Sequence, residues 1–306
     1  MAPSSSTVSV KSADMPALCR AYGVTSQSAQ KDYLRVQKSL LWMFVGVAIA
    51  SGIGQVAPLL FAGVHAHRIE VAAAYIGTLL FGLGLWMSAR QDQQAKPEDW
   101  YDARALAEST KSIAWKYMMG AEPYQGDHGD AVFTRDLLTL LKDAQKTVRP
   151  AGAEGAQITE LMRTVRAMPR AERIAIYRID RILDQCRWYT QKSEQHATSN
   201  RRWQNVVTWT LAIAFALSVL SIVTTPVGVV AGIAASIAPA AIAWNQTRRH
   251  RDLAHSYAFT THEIGLLSAG TDPMTDEELG RFVADCETAF SREHTMWRAR
   301  REGSKT

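Results

Sequence analysis

Few residues in this chain are of types that could carry chemistry. Its 306 residues contain no Walker-type phosphate loop, GxGxxG turn, nucleophile elbow or HExxH helix, so neither an enzyme nor a bound cofactor is expected. Cys19, Cys186 and Cys286 stand far apart with no Cys/His cluster, which argues against a structural zinc site and a disulfide scaffold. Asp127-His128-Gly129-Asp130 has the types for metal or acid–base work, yet in its glycine-rich setting it reads as a turn with a helix cap. His65 and His67, beside Arg68, read as a solvated turn. What remains is a set of small and polar residues inside long uncharged stretches. Gln55 is the one amide well inside such a stretch and the best single candidate to line a pore. Around it lie Gly46, Gly52, Gly54 and Pro58, and further on Gly77, Gly82 and Gly84. Thr208, Thr210, Ser218 and Ser221 dot a third stretch, and Gly228 and Gly232 make a GxxxG step in a fourth. Two readings fit these residues. A conducting lumen needs polar groups or flexible helices, and small residues are also the ordinary contact surface between membrane helices.

The elements that must hold them are legible from charge. Ser39 to Val64 is 26 residues without Asp, Glu, Lys, Arg or His, Val71 to Ala89 is another 19, and Trp203 to Thr247 is 45. A hydrocarbon layer of about 30 Å needs about 20 apolar helical residues. The first two runs are one span each, about 40–64 and 70–89. The third is two spans, about 205–224 and 226–245, turning at Thr224-Thr225-Pro226, because proline cannot continue the helix before it. The result is two helical hairpins, with His65–Glu70 and Thr224–Pro226 as their short outer connections. The absence of charge inside the spans argues against a proton relay or an ion-coupled pump.

Flanking cations set the orientation. Arg20, Lys31, Arg35, Lys38, Arg90, Lys96 and Arg104 border the first hairpin on the side of the long segments. Arg187, Lys192, Arg201, Arg202, Arg248, Arg249 and Arg251 border the second, whereas the outer connections hold Arg68 alone. Both termini and the long middle segment are therefore expected in the cytoplasm. Trp42, Trp86, Trp203 and Trp244 each fall near the inner end of a different span, at headgroup depth. The bulk values, 47% hydrophobic, 21% charged and a net charge of +5, average an uncharged membrane core with a highly charged remainder. They exclude a wholly disordered chain, and the basic excess is a membrane collar rather than a nucleic-acid surface. No cleavable leader is expected, since the first apolar run begins near residue 39.

The remainder reads as helical. Ala175, Ile179, Ile182, Cys186 and Tyr189 recur at heptad spacing and predict an apolar stripe on a long stalk running from Ala171 into the third span. Helices are also predicted over Asp99–Met119, Asp130–Gln145, Leu253–Leu267 and Asp276–Arg301. The fold class is thus all-α: an integral membrane protein of four transmembrane helices plus a cytoplasmic helical bundle with long stalk helices. Residues 1–14 are expected to be a disordered N-terminus, 15–149 a first two-span unit, 150–157 a linker and 158–306 a second two-span unit.

Within the second unit, Asp184, Gln185, Trp188 and Tyr189 form an Asp-Gln-x-x-Trp-Tyr run just before a hairpin. With Glu293 and Trp297 near the end of the last helix, this resembles the SLATT family, the two-transmembrane effector domains found beside SMODS nucleotidyltransferases and SLOG sensors in bacterial conflict systems. The first half resembles a divergent unit of the same kind, with Tyr33 and Gln37 before its hairpin and Arg104, Glu108 and Tyr117 after it. The resemblance implies a multi-pass protein of the bacterial inner (cytoplasmic) membrane. It implies an effector that oligomerises and permeabilises the membrane on a cytoplasmic conflict or phage-defence signal. Its partners would be the lipid bilayer, copies of itself and a separate cytoplasmic nucleotide-signal sensor or synthase, with no nucleic acid. The alternative is a non-conducting membrane adaptor whose helical cytoplasmic face docks a sensor or enzyme. A small transporter is disfavoured by the uncharged spans.

Overall fold

The computed structural model describes the backbone of residues 8–94, 97–144, 150–152, 154–269 and 275–302, with side chains except those of 91–94, 97–98, 225–226 and 291–302. In chain order the helices are α1 (Ala17–Leu60), α2 (Val64–Gln94), α3 (Pro97–Met119), α4 (Gly129–Ala144), α5 (Glu160–Ala167), α6 (Arg170–Ile176), α7 (Asp184–Ser221), α8 (Thr225–Arg248), α9 (His250–Ser268) and α10 (Asp276–Glu302). A π-helical segment, Tyr177–Leu183, joins α6 to α7 without a break, so the stalk is helical from Arg170 to Ser221. No strand occurs among the described residues.

The chain forms two compact units, each drawing on both halves of the sequence. A helical body takes residues up to Gln30, Pro97–Ser193 and His255 onward, and a second unit takes Lys31–Lys96 and Glu194–Ala254. The body is organised on α3. Ala103, Thr110 and Ala114 are fully buried along it, and such short side chains let neighbouring helices approach closely. Its last turns place Trp115, Tyr117, Met118 and Met119 in the core with Phe133 of α4, Met162 of α5 and Leu279 of α10. Where α3 ends, Gly120 adopts a left-handed φ of 66°. The carbonyls left without intrahelical partners are taken by arginine: Arg166 Nη1 donates to the Tyr117 carbonyl at 2.6 Å and Arg173 Nη1 to that of Met119 at 2.5 Å. A cation is favoured at that end of the helix dipole. α10 opens with a reciprocal cap, Glu278 N–H to Thr275 Oγ1 at 3.1 Å and Thr275 N–H to Glu278 Oε2 at 3.0 Å.

The amino-terminal segment departs from the expected disorder over the part described. Val10 is buried and donates its backbone N–H to Asp180 Oδ2 at 2.7 Å, and Ser12–Asp14 forms a 3-10 turn. Val10 and Met15, both buried, supply the apolar anchors that order it. The segment from Pro150 to Gln157 is likewise seated, because it satisfies the first amides of α1. Ala17 N–H donates to the Ala156 carbonyl at 3.2 Å and Leu18 N–H to Gln157 Oε1 at 3.1 Å.

The second unit holds the hairpins. α1 and α2, α7 and α8 each supply a helix long and apolar enough to cross a membrane. Here burial is inverted relative to the body: Ala50, Ala57, Ala73 and Ala238 are inside, while Leu79 and Phe215 are each 72% exposed. Small residues inward and large apolar residues outward suit hydrocarbon as the solvent. The protein is therefore an all-α, multi-pass membrane protein. One connection differs from expectation. The first hairpin turns at Phe61–Gly63, with Gly63 at φ 60°, and His65, His67, Arg68 and Glu70 lie in the first turns of α2 rather than in a loop. Charge marked those residues as outside the span, but charge does not end a helix, and the conformationally free Gly63 does. The second hairpin turns over 222–224, and Pro226 falls in the first turn of α8, where its missing N–H costs nothing.

Candidate functional site

Within the second unit most candidate glycines serve contacts between helices. A Cβ at Gly46 would meet Leu80 at 3.0 Å, one at Gly54 would meet Ala73 at 3.5 Å, and those at Gly77 and Gly84 would meet Ala50 and Met43 at 3.8 Å, so these four sit in the α1–α2 seam. Gly52 is buried under Ile233 of α8, whose side chain occupies the space a Cβ would need. Gly228 faces Ser221 across the second hairpin, with 3.4 Å between its notional Cβ and the serine Cβ. A Cβ at Gly82 or Gly232 would meet nothing within 4 Å among the described residues, and both lie on the outside. The GxxxG step is thus split between an internal contact and an open face.

The polar candidates are also on the outside. Gln55 is exposed and donates Nε2 to Ser51 Oγ, itself exposed, at 3.2 Å across one turn of α1. Ser218 is exposed, and Ser221 turns its hydroxyl back onto the Ser218 carbonyl at 2.6 Å. Gln55 and the span-three serines are not brought together around an internal lumen.

A polar foot to the second hairpin went unseen in the sequence. On α7, His196, Asn200 and Trp203 follow one another at helical spacing, and each meets a like residue from the other arm. His196 and His250 place their Nδ1 atoms 2.9 Å apart, a contact that requires one of the two nitrogens to be unprotonated. Asn245 Nδ2 donates to Asn200 Oδ1 at 3.0 Å, and the Trp203 and Trp244 rings meet edge to face at 6.5 Å. Beside this ladder opens a cavity of about 730 Å³ whose lining includes Asn200, Gln204, Thr208, Asn245, Gln246 and Arg249. At its rim α8 breaks: Arg249 has φ 48°, an uncommon conformation for a residue with a side chain, and its guanidinium reaches Asp252 at 3.3 Å. Pairs of identical residues 41 to 54 positions apart leave no periodic signal.

In the body, the Asp-Gln-x-x-Trp-Tyr run divides its labour. Trp188 and Tyr189 form a three-ring cluster with Tyr257 of α9, centroids 5.4 and 5.6 Å away, and Arg104 lies over the Trp188 ring at 5.4 Å. Asp184 and Gln185 instead line a cavity of about 390 Å³ together with Lys11, Lys111 and Asp180. Glu293 and Trp297 lie on the α10 backbone, but their side chains fall outside the described residues. Tyr117 donates its hydroxyl to Asp130 at 2.5 Å, and Arg163 pairs with the other oxygen at 2.7 Å. These bonds hold the Asp130 carboxyl below its usual range and assign it to packing α3, α4 and α5.

The expected apolar stripe is misregistered. Ile182 and Tyr189 are buried, but Ala175 and Ile179 are exposed and Tyr177 and Arg181 take the inward positions. The inward face is set by Ile174, Tyr177 and Arg181, one position off the predicted stripe, over a stretch that includes the π segment Tyr177–Leu183. Arg181 thereby enters the core, where Nε and Nη2 donate to the two oxygens of Glu287 at 2.9 and 2.7 Å. Both side chains are essentially inaccessible, at 2% and 0%. Tyr177 adds a hydroxyl donor to Glu287 at 3.0 Å, and burial, followed by the Glu287 charge, keeps that phenol protonated well above its usual range. A buried, bidentate pair of this kind joins the stalk to α10.

Two hairpins with long uncharged spans, together with a separate helical unit, define a class, the multi-pass helical membrane protein. Residues 16–174 match the family model described as SMODS and SLOG-associating 2TM effector domain 3, and residues 177–297 match effector domain 1 of the same series. The chain belongs to the SLATT family, as a tandem of two such domains. No curated protein and no solved structure matches it. The first match runs through the Pro150–Gln157 segment and takes in α5 and most of α6. Those helices supply the two arginines that close the end of α3, which gives the boundary a physical basis.

Proposed function

We propose that this tandem two-hairpin protein assembles copies of itself in the bacterial inner membrane and permeabilises that membrane in response to a cytoplasmic signal. The observation that supports this reading most is the outward Ser51–Gln55 pair. The Ser51 hydroxyl takes one amide hydrogen of Gln55, but hydrocarbon offers nothing to its second N–H and its carbonyl oxygen, and an unsatisfied polar group in the span costs several kcal/mol. A second copy, or water in a lumen between copies, satisfies it. The open Gly82 and Gly232 surfaces offer the close approach such assembly uses. The signal would reach the spans through the stalk, helical without interruption from Arg170 to Ser221. The basic collar orients the termini and body to the cytoplasm, and a separate sensor or nucleotide-synthesising partner would supply the trigger. No catalytic step is part of the reading.

Disulfide trapping tests it. Gln55→Cys in membranes is expected to form a covalent dimer under mild oxidation, and overproduction of the wild type to collapse the membrane potential of the host. Absence of both the dimer and the depolarisation would reject a pore between copies and favour a non-conducting adaptor. Orientation is tested separately with a membrane-impermeant thiol reagent. Cys286 is a poor internal marker, since it is fully buried and its thiol is pushed up to about 12 by burial and by the neighbouring Glu287. Gln125→Cys, at an exposed loop position, replaces it. Cytoplasmic residence predicts labelling of Gln125→Cys only after lysis, and of Thr225→Cys in intact spheroplasts.

A further inference from the structure

Beyond pore formation, and independent of it, the second unit carries a built cationic groove at membrane-surface depth. Lys31, Arg35 and Lys38 lie on one face of α1 at i, i+4 and i+7. With Trp203 of α7 and Trp244 and Arg248 of α8 they line an open groove of about 520 Å³. Among the described residues no carboxylate lines it: Asp32 pairs with Arg35 at 2.9 Å but stands outside the lining. The depth follows from the sequence. Lys38 is the last charge before the 26-residue uncharged run, Trp203 opens the 45-residue run, and Arg248 is the first charge after it. The groove therefore sits where lipid headgroups lie. The two indole rings meet edge to face at 6.5 Å, and the Arg248 guanidinium lies 5.9 Å from the Trp244 centroid. Those rings give acyl chains and glycerol an apolar wall beneath the cations.

We propose that this groove binds the headgroup of an anionic phospholipid, and prefers one bearing two phosphates to one bearing a single phosphate. Four cations converge from two helices, more than one phosphate diester needs, and lysine and arginine together suit phosphate oxygens. This differs from the general attraction of a basic collar, because Arg90, Arg201 and Arg202 belong to the same collar and do not line the groove.

That difference makes the test. Wild type and two charge-matched triple variants, Lys31→Gln/Arg35→Gln/Lys38→Gln and Arg90→Gln/Arg201→Gln/Arg202→Gln, are reconstituted in phosphatidylcholine vesicles containing phosphatidylglycerol or cardiolipin. Retained lipid is counted by native mass spectrometry after extraction. Wild type and the Arg90 triple are expected to retain cardiolipin, with at least a tenfold loss in the Lys31 triple. Retention is expected to withstand millimolar inorganic phosphate, as a membrane-anchored headgroup should. Equal losses in both triples would reduce the effect to bulk charge and overturn the site, as would displacement by free phosphate. If the Lys31 triple does not insert, the wild type decides alone: equal retention of cardiolipin, phosphatidylglycerol and phosphatidylcholine overturns the proposal.

Discussion

The two units of this chain place the same residue types in opposite positions. In the body, tryptophan, methionine and leucine are inside, and even a charge, Arg181, is buried once it meets Glu287 in bidentate fashion. In the second unit, alanine and glycine take the interior, while leucine, phenylalanine and tryptophan point outward. One chain with one composition obeys two burial rules because its units face two solvents. Water rewards the removal of apolar area. Hydrocarbon does not, and leaves dispersion and close approach to hold the helices together.

The largest expected effect is in the body. Glu287→Ala strands the Arg181 guanidinium and removes the acceptor for Tyr177, and is expected to destabilise the body by about 3–5 kcal/mol. Thermal unfolding in detergent, read by loss of helicity, measures it. Replacing both partners, Arg181→Met with Glu287→Leu, should recover most of that loss, since an apolar pair of similar volume carries no stranded charge. A double variant as unstable as the single would mean that the ion pair is not what joins the stalk to α10.

How far the sequence reaches follows the same division. The spans were legible because hydrocarbon excludes charge, so uninterrupted runs of 26, 19 and 45 residues could mean little else. Trp188 and Tyr189 were legible as a motif by their place before a hairpin, and their packing on Tyr257 accounts for the two aromatics. The Arg181–Glu287 pair was hidden, because its partners are 106 positions apart and the inward face of the stalk is offset by one position from the apolar stripe that heptad spacing picks out. The ladder of His196, Asn200 and Trp203 was hidden for the first of those reasons. Gln55 was visible as an amide in a span, but which way it faces depends on how α1 packs, and that is a tertiary fact.

A mid-span charge sharpens the contrast with less energy. Leu79 projects from α2 as fully as a surface leucine would in a soluble protein, where an arginine there would change stability by less than about 0.5 kcal/mol. In a bilayer Leu79→Arg is expected to cost about 2.5–3.5 kcal/mol of insertion. A glycosylation-reporter insertion assay on α2 reads the difference. Unchanged insertion would count against placing this face of α2 in lipid.

The smallest effect separates the foot of the second hairpin from both environments. Asn200 and Asn245 share a hydrogen bond beside a cavity of about 730 Å³, at the end of the second hairpin away from its 222–224 turn. If the foot is dry, each asparagine truncated alone leaves the other unsatisfied. A double-mutant cycle with Asn200→Ala and Asn245→Ala should then show a coupling near the upper value for such bonds between membrane helices, about 1.7 kcal/mol. If water fills the cavity, it replaces the lost partner and the coupling falls to about 0.6 kcal/mol or less. The polar lining from Asn200 through Gln204 to Thr208 favours the second outcome, because Gln204 and Thr208 are exposed and Asn200 half-buried, so this face of α7 is open to water. A weakly coupled pair would therefore mark the place where water already enters the membrane level of a single chain, and an assembly that conducts would have its inner mouth there.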